Sequence, residues 1–135
     1  MTKQADFIDC VDLWTTVLPY STFPSSTIAW RLVPAIDSGQ YKIWHNEGGS
    51  CAGFVTWAWM TDEEFETRDY WGVDIFQRET GDKLVFVDMI APEGTSGVLG
   101  FCRDLRRMFI SEFPEVKKVW SHRGQRRGVY PNKGG

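Results

Sequence analysis

Lys83–Arg107, KLVFVDMIAPEGTSGVLGFCRDLRR, decides the fold and holds most of the chemistry. Its first part, Leu84–Ile90, is a mostly apolar run of the kind a central strand shows when both of its faces are buried. Pro92 and Gly94 end that strand. Gly94, Gly97 and Gly100 then form a loop that opens into a helix over 98–113, with Val98, Cys102, Leu105 and Phe109 on one face and Arg103, Arg106 and Arg107 on others. A strand, a loop and an amphipathic helix in that order predict a sheet with a helix packed across it.

Two features of this segment suggest chemistry. Asp88 is a carboxylate inside an apolar strand, and burying a charge is expensive unless it is paired. It therefore either serves the chemistry, by orienting and charge-stabilising a catalytic base or by titrating itself, or is a structural carboxylate that caps an element or pairs with an Arg. The glycine loop ahead of a helix is a plausible phosphate cradle, because the first amides of a helix point outward and its dipole favours anions. It lacks the Lys-Ser/Thr ending of a phosphate-binding loop and the βαβ context of a dinucleotide fingerprint.

Outward from this segment the chain reads as alternating helices and strands. Residues 5–16 space Phe7, Ile8, Val11 and Leu13/Trp14 as a helix. Ser25 or Ser26 caps a second helix to about Ile36, with Pro34 unsettling its last turn. Tyr41–His45 and Ala52–Trp59 are strands joined by the turn Asn46–Gly49. Thr61-Asp62-Glu63-Glu64 is a capping-box pattern starting a short helix. Gly81-Asp82 turns into Leu84–Ile90, and Pro114 separates the 98–113 helix from a last strand over 116–122. The expectation is an α/β (α+β) fold with one sheet and helices upon it, residues 1–122 forming the single domain and 123–135 a basic, flexible tail.

Composition bounds the rest. The 135 residues fit one domain; 42% are hydrophobic and 15% aromatic, including seven Trp, so the chain can build a substantial core. No apolar run approaches the roughly 20 residues of a membrane span. The N-terminus has no secretory layout, and three widely spaced Cys without a CxxC argue against a disulfide scaffold or a zinc site, pointing to the cytoplasm. The net charge of −3 is uneven. From Arg103 onward nine basic residues face three acidic ones, which suggests an anionic partner or simply a solvated helix face and tail. Aromatics among these cations are too few to favour nucleic acid. His45 and His122, the only histidines, read as surface residues beside turns, and the Cys as core fillers.

Several segments together resemble a known family. LWTTVLPYSTFP, IAWRLVPAIDSGQYKIW, GFVTWAWMTDEEFE and FVDMIAPEGTSG, in this order from about Asp9 to Phe113, resemble the toxin-activating lysine acyltransferases. The resemblance implies a GNAT-like fold with a mixed central sheet. It also implies an acyl-carrier protein as thioester donor, an acceptor protein lysine, and often a homodimer. The family depends on the Asp of a DxIAPxG strand, which matches Asp88, and on a His whose position, counted back from Phe23-Pro24, holds Tyr20. The implied roles are Asp88 as orienter, Tyr20 or His45 assisting deprotonation, and Gly94, Gly97, Arg103, Arg106 and Arg107 receiving the carrier. The alternative is an inactive family fold reused as a binding or structural accessory, for instance in a phage.

Overall fold

A computed structural model describes residues 3–17, 20–45, 48–49, 51–67, 75–78, 81–90, 103, 105–109, 111–114, 116, 118–123 and 126–131. Its sheet has five strands in the order β1-β2-β3-β4-β5: β1 (Tyr41–His45), β2 (Cys51–Met60), β3 (Lys83–Ile90), β4 (Lys118–Arg123) and β5 (Arg126–Pro131). The β3–β4 pair is parallel and the others are antiparallel, so the sheet is mixed. A parallel pair needs a crossover, and the helical residues 103, 105–109 and 111–112 lie in that connection.

Strand alternation sorts the large side chains into two layers. Val55, Trp57 and Trp59 of β2 join Leu84 and Phe86 of β3 and Val119 of β4 on one face, where Leu105, Met108 and Phe109 cover them. Trp57 meets Phe109 edge-on at 5.3 Å and Phe113 at 6.0 Å. On the other face Ala58, Met60 and Val85 pack with Phe65, Ile75 and Phe76, while Phe54 and Ile90 pack with Cys10, Trp14, Leu32 and Ile36. Helical segments thus cover both faces, as the mostly apolar β3 requires.

That second layer is built from α1 (Lys3–Thr16), α2 (Ser25–Thr27), a π-helical segment (Ile28–Leu32), α3 (Val33–Ser38) and α4 (Asp62–Thr67). The second expected helix therefore runs through Pro34 to Ser38. Val33 donates its N–H to Ile28 O, the wider π spacing, and Pro34 then sits in the first turn of α3, where an N–H is not needed. Gly39, at φ 81°, ends α3 in the left-handed region that glycine tolerates best, and Gln40 N–H reaches back to Ala35 O at 2.9 Å. The capping box forms as read: Glu64 N–H donates to Thr61 Oγ1 at 3.1 Å, and Thr61 N–H to Glu64 Oε1 at 2.8 Å.

Glu64 also accepts from Arg78, at 2.5 Å and 3.0 Å, and this guanidinium holds its carboxyl down to about 2 against the opposing effect of burial. A depressed carboxyl stabilises the fold above its unfolded value and loses that contribution as pH falls through the folded one. The window here runs from about pH 4.5 down to 2. Because the Arg78 side chain is 31% exposed, solvent screening reduces the effect to about 1 kcal/mol. Urea unfolding at pH 5, 3 and 2 should show Glu64→Gln losing that much less than the parent.

One expectation is corrected by β5. Arg126–Pro131, placed by the sequence in a flexible tail, pairs along its length with β4, from Arg123↔Arg126 to Lys118↔Pro131. Its basic charges, read in the sequence as those of a tail, equally suit a strand at the edge of a sheet, as does its terminal proline.

Candidate active site

Asp88 reaches its position through an irregularity in β3. Phe86 pairs with Trp57 and Asp88 with the next residue, Thr56, so Val87 is one residue extra. Strict alternation from Leu84 and Phe86 would send Asp88 into the apolar layer beneath Trp57. The bulge turns it to the opposite face, and there Thr56 Oγ1 accepts the Asp88 N–H at 3.1 Å. The side chain is fully buried.

The partner on that face is Arg31, from the π segment. Its Nε donates to Asp88 Oδ2 at 3.0 Å and its Nη2 to Asp88 Oδ1, a two-pronged pairing that the planar guanidinium favours. Nη2 also lies 3.4 Å from Val87 O, the carbonyl of the bulge. Trp14 walls the pair, its ring centroid 5.9 Å from Arg31 Cζ. Of the two readings left open for Asp88, the structure shows the Arg pairing. Sequence reasoning passed over Arg31 itself, although its spacing from Ile28 and Ala35 within the apolar IAWRLVPAI marks an inward-facing position.

Arg31 keeps 18% of its side chain exposed and closes one wall of a groove lined also by Phe23, Pro24, Ser26, Thr27 and Trp30, with a volume near 400 Å³. Trp30 is 57% exposed and Phe23 36%, leaving large ring surfaces open beside the buried ion pair. The arrangement offers an apolar slot with a fixed cation at its inner side, a size and character suited to a small or chain-like ligand.

Residues 3–128 match the sequence model of the RTX toxin acyltransferase family. The chain belongs to that family. It is 28% identical over 111 residues to the protein-lysine myristoyltransferase RtxC of Kingella kingae, covering 81% of this chain and 65% of that protein. It is 30% identical over 96 residues to the RTX-I toxin-activating lysine-acyltransferase ApxIC of Actinobacillus pleuropneumoniae, covering 64% of this chain and 51% of that protein. The chain thus spans between half and two thirds of the length of these curated relatives.

Set against this RTX toxin acyltransferase scaffold, the other expected site residues that are described lie apart from Asp88 or outside the groove. Tyr20 opens the short 3-10 turn Tyr20–Thr22, three residues before Phe23 of the groove; its side chain lies outside the described residues, as do Gly94 and Gly97. His45 is not brought to Asp88. Thr56, which pairs with Asp88, pairs across β1 with Tyr41, and His45 lies four residues further along, about 13 Å at strand rise. Its Nε2 instead sits 3.2 Å from Asp9 Oδ2 of α1, so the proposed role in deprotonation is withdrawn. Arg103, Arg106 and Arg107 are exposed on the helical residues that cover the sheet face opposite Arg31 and Asp88. Cys10 is buried, Cys51 is half-buried, and burial pushes both thiols up, Cys51 to about 11, which suits inert fillers. Among the described residues no cluster of His, Cys, Asp and Glu could hold a metal ion, and no helix is long and apolar enough to cross a membrane.

Proposed function

We propose that this chain is a protein-lysine acyltransferase, moving an acyl group from the thioester of an acyl-carrier protein to a lysine of an acceptor protein in the cytoplasm. The observation that carries the reading is the groove of Phe23, Trp30 and Arg31 beside the buried Asp88, within a chain of the RTX toxin acyltransferase family. An apolar slot suits an acyl chain, and its polar inner wall suits the thioester end. The exposed Arg103, Arg106 and Arg107 give an acidic carrier protein a cationic surface to approach. The catalytic part assigned to Asp88 changes in this reading: with both oxygens on Arg31 and no exposed surface, it positions the guanidinium.

A second reading, the fold reused as a binding accessory, is favoured by Tyr20 at the family's His position and by the commitment of Asp88 to an ion pair. The two separate in one experiment. The chain is incubated with carrier protein bearing a fatty acyl thioester and a lysine-containing acceptor, and lysines are mapped by mass spectrometry. Acylated lysine is expected, with Asp88→Ala reducing it about 100-fold. No transfer by the parent, with gain of transfer in Tyr20→His, would identify an inactive scaffold.

A further inference from the structure

We propose that Arg31 is a catalytic residue of this site, stabilising the negative charge that develops on the acyl carbonyl oxygen, and that Asp88 and Val87 O serve to aim it. The inference rests on the acyl-transfer reading and adds the residue that meets the reacting atoms.

Three observations support it. Asp88 has no exposed side-chain surface, so it cannot touch a ligand, whereas Arg31 lines the groove. The guanidinium is fixed before any ligand arrives, through Nε and Nη2 on both Asp88 oxygens and through the Val87 carbonyl that the bulge presents. Apolar rings also flank it: the buried Trp14 lies 5.9 Å from Arg31 Cζ, and Phe23 and Trp30 line the groove beside it. A preoriented cation flanked by apolar rings is an arrangement that stabilises a developing oxyanion.

The step balances without any further reactant. A neutral lysine amine attacks the thioester carbon and the carbonyl π pair moves to oxygen, facing Arg31. Collapse breaks the C–S bond, and the sulfur leaves as the carrier thiol with the proton lost by the amine nitrogen, giving the amide. Arg31 supplies charge throughout and neither gains nor loses a proton.

The test compares kcat and KM for fatty acyl-carrier protein in the parent, Arg31→Lys and the double variant Arg31→Met/Asp88→Leu, each with its unfolding curve. The double variant replaces the ion pair by apolar groups and should fold. Its kcat is expected to fall about 100-fold or more, with KM changed only a few-fold. Arg31→Lys, which keeps the charge but not the fork, should lose about 10-fold in kcat. If the parent transfers acyl groups and the folded double variant keeps its kcat, Arg31 is only architectural and the inference is overturned while the function stands. If the double variant fails to fold, an undiminished kcat in Arg31→Lys overturns it instead. A parent that transfers nothing removes the function and this inference with it.

Discussion

Arg31→Met alone is expected to lower the unfolding free energy by about 3–5 kcal/mol, and adding Asp88→Leu to restore most of it. The reason lies in what each change leaves behind. Without Arg31, a carboxylate with no exposed surface remains in the layer between β3 and the helices, its main countercharge gone. Removing both partners leaves no buried charge without its countercharge, and two apolar side chains fill a space already walled by Trp14. The reverse single change, Asp88→Leu, should cost less than Arg31→Met, because Arg31 is 18% exposed and water in the groove can partly solvate it. In a chain of this size the Arg31→Met loss corresponds to a melting-temperature drop on the order of 10 °C or more. Thermal and urea unfolding of the three variants measure the ordering directly. If Arg31→Met matched the parent, the pair could not be the internal, mutually dependent contact described here.

Trp57→Ala is expected to cost about 3–5 kcal/mol. Trp57 is 5% exposed and stands where β2, β3 and the helical residues 105–109 meet, with Phe109 at 5.3 Å and Phe86 as its cross-strand partner. Losing the indole opens a cavity that neighbours on rigid strands cannot refill. Trp30→Ala is the control: at 57% exposure it should change stability by less than about 0.5 kcal/mol. Urea midpoints of the two variants make the comparison, and equal midpoints would show that Trp57 does not hold the layers together.

The elements with strong local signals were legible. The capping box at Thr61–Glu64, the strand Tyr41–His45 and the apolar β3 all formed where their patterns place them, because each depends on neighbours in sequence. Family membership was legible too, from four segments in order. The site was legible only in half. An Asp in an apolar strand announced that a partner must exist, but Arg31 lies 57 residues away and only tertiary packing joins them. The face on which Asp88 emerges was beyond reach for another reason: a bulge breaks the period-two pattern from which faces are read, and KLVFVDMI carries no mark of it. The place of His45 was beyond reach as well, because only strand register assigns it to the far end of β1, away from Asp88. The strand Arg126–Pro131 was missed since edge strands carry the charges and prolines that also make tails.

The supernumerary Val87 gives the two neighbouring strands unequal tolerance for changes in length over generations. A codon lost at Val87 would join Phe86 to Asp88 in ordinary alternation, and the aspartate would still emerge toward the helices. A codon lost from the regular stretch of β2 beside it would invert parity from that point on, sending Thr56 or its apolar flanks to the wrong side. Lineages descended from this sequence can therefore shorten one of these strands and keep their polar centre, and they cannot shorten the other.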